Sequence, residues 1–229
     1  DNAESGDTIE VAPGTYNESV TISTANVSIE STASADETTI DSGTNRMNIS
    51  ADNVTIDGFS FVFENQAIYE TGNENVTIQN NHFELAEGTE SQGYAIRFEG
   101  SSTDGVARNN EFVGIDNTDQ DEYGNGVIVS GPDGHEIVGN IFTNNSIGVN
   151  VGTAQPADEL KIANNNFTQQ DNSAIVLNHD NSESPDFNIT SNQIESNEVG
   201  VFVLAGGSIN INENNIVDNG VNANALSGE

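Results

Sequence analysis

The chain has 229 residues, 37 of them acidic and only four basic, for a formal net charge of −33. Such a balance leaves no basic footprint for nucleic acid or an anionic membrane surface, and no stretch approaches the ~18 consecutive apolar residues of a spanning helix. Cysteine is absent, which excludes a disulfide framework, and the single lysine, Lys161, predicts a halophile's surface, because at about 1 M salt the Debye length falls to roughly 3 Å and self-repulsion is screened.

In chain order, residues 1–25 read as a first coil and N-terminal cap region. Residues 26–218 read as repeated coils and 219–229 as a C-terminal tail, all within one domain. The repeat is apolar, any, Ile, any, any, Asn, any, Phe. Its Ile column runs Ile29, Ile56, Ile78, Ala107, Ile137, Ile162, Ile189, Ile211. An Asn column follows three residues later at Asn81, Asn110, Asn140, Asn165, Asn192 and Asn214, with Phe59 in the earlier unit. Two residues further on stand Phe61, Phe83, Phe112, Phe142, Phe167, Ile194 and Ile216. A second apolar strand in each unit opens on a small residue (Ala67, Ala95, Gly126, Gly148, Ala174, Gly200) and continues with period-two alternation.

One such unit cannot bury its apolar side alone. Stacked in parallel register, units about 4.8 Å apart close a continuous core. The expected fold is all-β: a single-stranded right-handed parallel β-helix of about eight coils. Asn at a fixed turn position is expected to accept the left-handed conformation and to bond from coil to coil. This patterning also answers the low apolar content of 34%, which by itself is compatible with disorder.

The opening segment Asp7-Thr8-Ile9-Glu10-Val11-Ala12-Pro13-Gly14-Thr15-Tyr16, then Glu18 and Val20-Thr21-Ile22, resembles the first coil of pectin-lyase-like β-helix proteins. The chain is most similar to the group with NosD-like β-helix repeats, and its charge points to a halophilic archaeon as source. The resemblance implies the fold along the whole chain. It leaves function open, since that superfamily holds lyases, hydrolases, epimerases, esterases, adhesins and viral spikes. It also implies a short N-terminal capping helix, for which the residues before Ser5 are too few, so a missing or shed segment is expected.

Candidate residues are few. Arg97 and Arg108 lie outward on consecutive strands and suit a carboxylate or sulfate, which a guanidinium grips with two hydrogen bonds. With His179 and Asp180, in a loop, they are the catalytic candidates of a polysaccharide lyase, epimerase or hydrolase. His135 falls in an inward column and reads as buried and structural, and His82 faces outward. Asp116, Asp119, Asp121 and Glu122 form an acidic loop that suits calcium as a cofactor, although the spacing is not that of an EF-hand. Copper handling is disfavoured by the absence of Cys and the single Met47.

The outward column of the second apolar strand reads Tyr69, Arg97, Ile128, Asn150, Val176, Phe202, against the polar composition of the rest. Such a stripe implies a covering loop, a protein or self-association partner, or stacking against an acidic or neutral polysaccharide. Lys161 is expected to pair with Glu136 one coil away. Eight Asn-x-Ser/Thr tripeptides occur, at Asn17, Asn26, Asn48, Asn53, Asn75, Asn144, Asn166 and Asn188, close to the number that 35 asparagines yield by chance. The leading expectation is a non-catalytic, extracellular or cell-surface module for architecture, adhesion or glycan contact. The alternative is a polysaccharide-acting enzyme working in a groove along the strands.

Overall fold

Why the chain coils is visible in a single unit. Thr77–Gln79 is a short strand that buries Ile78 and turns its neighbours outward. Asn80 then takes φ 56°, the left-handed turn that Asn accepts most readily after glycine. Asn81 tucks its amide inward and His82–Leu85 forms the next strand, burying Phe83 and Leu85. The third strand of the unit, Tyr94–Glu99, buries Ala95, Ile96 and Phe98.

The computed structural model describes residues 3–86, 93–115, 124–131, 133–152, 159–178, 186–204 and 208–225. Within these, 27 strands form three parallel sheets of nine, wound as a right-handed β-helix. The first sheet begins with Thr8–Val11, the second with Gly14–Tyr16 and the third with Thr21–Ile22. Nine rungs stand close to the expected eight. The Ile and Phe columns belong to two separate strands, with the bend at the Asn between them, so each coil has three strands rather than two. The stretch expected as a tail contributes the strand Val221–Ala225 to the third sheet.

Register follows the columns read from the sequence. Ile78 pairs with Ile56 and Ala107, Phe112 with Phe83 and Phe142, and Glu136 with Lys161, whose Nζ lies 3.2 Å from the carboxylate. Five phenylalanines, Phe61, Phe83, Phe112, Phe142 and Phe167, stack with ring centroids 4.6–5.0 Å apart. That separation is the rung spacing, so parallel strand pairing imposes the stack. The small residues opening the third-sheet strands make room for these rings. A Cβ on Gly126 would come within 2.7 Å of the Phe142 ring and of the Gly148 carbonyl.

One expectation is corrected. The stacked asparagines do not take the left-handed conformation; the residue before each does, at Asn80, Asn109, Gly139, Asn164, Ser191 and Glu213. The reason is direction. The left-handed residue turns the backbone and points outward, which leaves the next side chain aimed into the corner. There Asn140 Oδ1 accepts from the Asn110 N–H at 2.9 Å, and Asn140 Nδ2 donates to Ala107 O at 2.8 Å. The same pattern repeats from Asn81 to Asn214. A second ladder, Asn145–Gln170–Asn197–Asn219, lines the next corner, between the second and third sheets.

Candidate functional site

The outward face of the third sheet gathers the unusual chemistry. Its strands place Asn48, Tyr69, Arg97, Ile128, Asn150, Val176, Phe202 and Asn224 in one column, each paired with the next. From Tyr69 to Phe202 there are five rung steps, about 24 Å.

At one end, two of the chain's four basic residues sit on tyrosine. The Arg46 guanidinium lies 3.9 Å above the Tyr69 ring centroid. It donates from Nε to Asn48 Oδ1 at 2.8 Å and from Nη1 to Gln66 Oε1. Arg97 lies 5.9 Å from the Tyr69 ring and 5.8 Å from Tyr94, and forms an ion pair with Glu99. The Tyr69 hydroxyl donates to Glu99 Oε2 at 2.6 Å. That bond to a carboxylate, followed by burial, raises the Tyr69 pKa, so the phenol stays protonated. The cluster is aromatic and cationic in an otherwise acidic molecule, features that suit the apolar faces and the carboxylates of sugars.

At the other end lies an open groove of about 510 Å³. Val176, Phe202 and Leu204 form its apolar floor, and Asn150, Asn172, Asn178 and Asn224 ring it with amides. Glu198 also lines it, and apolar surface with placed amides and one carboxylate is the chemistry of a site for a hydroxyl-bearing ligand without negative charge. Between the two ends Ile128 is only 9% exposed, so the stripe is covered there and is not continuous.

The two arginines expected to act together are apart. Arg97 belongs to the third sheet, whereas Arg108 is on the first and donates to Gln79 Oε1 at 2.7 Å. No hydrogen bond or ion pair joins them among the described residues. Strands consecutive in sequence face different directions here because the chain turns a corner between them.

His179 and Asp180 lie outside the described residues, as do Asp116, Asp119, Asp121 and Glu122. Among the described residues no three His, Asp or Glu side chains converge to hold a metal ion. His82 Nδ1 lies 3.0 Å from Glu111 on the second sheet. His135 is fully buried. It stacks on Phe98, takes the Gly105 N–H at Nδ1 and has Nε2 3.1 Å from Ser102 O, which identifies a neutral ring with its proton on Nε2. Burial lowers its pKa accordingly.

Sequence reading missed Arg46, Tyr94, Glu99 and Glu70. Glu99 was within reach, since it stands two residues after Arg97 and period-two alternation puts both on one face. Glu70 was signalled as the one polar residue in an otherwise apolar inward column. Arg46 precedes its strand and has no positional signal beyond the scarcity of cations.

Comparison with known proteins adds a frame. Residues 87–228 match the family described as right handed beta helix region. The fold is similar to that of an alginate lyase from Paenibacillus sp. str. FPU-7, at 15% identity over 98% of this chain and 93% of that one, with a TM-score of 0.62. It is also similar to the A-module of the mannuronan C-5 epimerase AlgE6 from Azotobacter vinelandii, at 16% identity over 96% and 70%, with a TM-score of 0.72. A tailspike protein of E. coli bacteriophage HK620 matches at 12% identity over 87% and 46%, with a TM-score of 0.51. A sequence search among curated proteins finds no match.

Proposed function

The chain belongs to the right-handed β-helix family, and on that premise we propose that it is a non-catalytic, extracellular or cell-surface module that holds a polysaccharide along the outward face of its third sheet. The observation that carries this reading is the placement of Arg46 and Arg97 on Tyr69 and Tyr94, on the same face as the Val176–Phe202 groove. The sugar's apolar faces would stack on the tyrosines and on Phe202, with its hydroxyls on the asparagine amides. Two structural neighbours are named for their action on polysaccharides, which supports the ligand class. The charge of −33 suits a high-salt milieu.

Binding without turnover is favoured by the state of the charged groups. Arg97 is committed to Glu99 and Arg46 to Asn48 and Gln66. Tyr69, with its pKa raised, is held protonated and so is not poised as a base.

The test is retention of the folded protein on immobilised alginate and on a neutral glucan in about 2 M potassium chloride, with products followed in parallel. Retention on either, without unsaturated products or new reducing ends, is the expected result. Product formation would transfer the case to a lyase, epimerase or hydrolase. Folded protein that ignores every polysaccharide would sink the proposal and leave architecture or a protein partner.

A further inference from the structure

Three successive coils carry the same tripeptide at the same corner. Asn26-Val27-Ser28, Asn53-Val54-Thr55 and Asn75-Val76-Thr77 each have the acceptor pattern for N-linked glycan. By number alone such tripeptides carry no weight here, but the fold aligns these three. Ser28 pairs with Thr55 and Thr55 with Thr77, so the asparagines form one column with a rung spacing of about 4.8 Å. Each asparagine is left-handed, with φ between 56° and 59°, and each valine is buried. Asn26, Asn53 and Asn75 are all exposed.

The fold does not require the tripeptide. At the same corner later coils put Asp104, Gly134 and Glu159 in the left-handed position, with Val106, Glu136 and Lys161 two residues on, and pair their strands equally well. The side-chain amides of Asn53 and Asn75 make no hydrogen bond among the described residues, and that of Asn26 reaches only Ser5 Oγ. Two of the other tripeptides differ. Asn48 Oδ1 accepts from Arg46 and Asn188 Oδ1 from Asn210, and both asparagines lie within strands.

We propose that the Asn26–Asn53–Asn75 corner is an edge for N-linked glycosylation. The donor is an oligosaccharide on a polyprenyl phosphate or diphosphate, acted on by a membrane oligosaccharyltransferase. In the transfer, Nδ2 of the asparagine bonds to the anomeric carbon of the sugar. The bond from that carbon to the phosphate oxygen breaks with its electron pair, the lipid phosphate leaves, and one amide proton passes to the transferase's base. No oxidant or reductant enters. At one rung of separation neighbouring sugars crowd each other, so one or two of the three positions are filled in any one molecule. The edge lies at the turn from the third sheet into the first.

The experiment is mass-spectrometric peptide mapping of the protein isolated from the cells that naturally make it. Sugar on Asn53 or Asn75, with Asn48 and Asn188 bare, is the expected result. Thr55→Val and Thr77→Val keep the asparagine, the turn and a β-branched strand residue; each should abolish modification two residues upstream without lowering the melting temperature. Thr55→Ser should retain it, which guards against a folding defect. Bare Asn26, Asn53 and Asn75 in the native protein would overturn the proposal, as would sugar that persists on Asn53 in Thr55→Val.

Discussion

At Glu70 a carboxyl occupies an inward position where the coils on either side place Ile49 and Phe98. Its Oε1 accepts from the backbone and side chain of Asn73 at 2.8 and 2.9 Å. The Ser102 hydroxyl lies close enough to favour the carboxylate, yet neither it nor Glu70 Oε2 completes a hydrogen bond. Burial dominates and raises the Glu70 pKa. The folded state therefore holds this proton after the unfolded chain has lost it. The stability Glu70 lends is full below its unfolded pKa and is lost as pH rises through the folded one. His135, with its pKa lowered, acts in the opposite sense: its stability is present above the unfolded value and lost as pH falls through the folded one. Glu70→Gln, which cannot titrate, should thus gain on the parent protein as pH rises from the unfolded carboxyl's value through the folded one in thermal melts. An unchanged difference across that range would show that Glu70 does not titrate with folding. On the outer face, Tyr69→Ala removes the ring beneath Arg46 and should weaken polysaccharide binding by about 1–2 kcal/mol, near tenfold, whereas Tyr69→Phe should largely preserve it. Equal loss in both would assign the effect to the hydroxyl bond with Glu99.

At the scale of the strand and its corner, the ladders govern stability. Asn140→Ala deletes an amide that serves three coils and leaves the Asn110 N–H buried without an acceptor. The expected cost is about 2–3 kcal/mol in denaturant unfolding, because a stranded buried donor loses its full solvation. The exposed Asn164, one position before a ladder residue, should behave differently. Asn164→Gly keeps the left-handed turn at little cost, while Asn164→Val forces a β-branched residue into it at about 1–2 kcal/mol. The Asn column was legible because it recurs in step with Ile and Phe. Its role was misassigned, because spacing locates a turn without saying which of two adjacent residues bends. The second ladder was equally regular, three residues after the Phe column. It escaped notice because Gln170 interrupts the asparagines.

For the whole molecule, charge sets the conditions under which anything else is measured. With −33 formal charges, self-repulsion is strong in dilute buffer and screened in molar salt. The melting temperature should therefore climb as potassium chloride rises from about 0.1 to 2 M; a flat response would remove the high-salt reading. Retention on alginate should strengthen over the same range, since screening relieves repulsion between two polyanions, while retention on a neutral glucan should change little. The opposite slope, weakening with salt, would show that attraction between the arginines and the sugar carboxylates outweighs that repulsion.

The repeat, its three columns, the parallel register and the Glu136–Lys161 pair were determined by the sequence itself, because strand alternation and coil length are local properties that recur from coil to coil. The grouping of functional side chains was decided only by the closed solenoid. Arg97 and Arg108 are close in sequence yet face different directions, since a corner separates their strands. Arg46, Tyr69 and Arg97 lie on three coils and meet because parallel pairing brings each coil within a rung of the next.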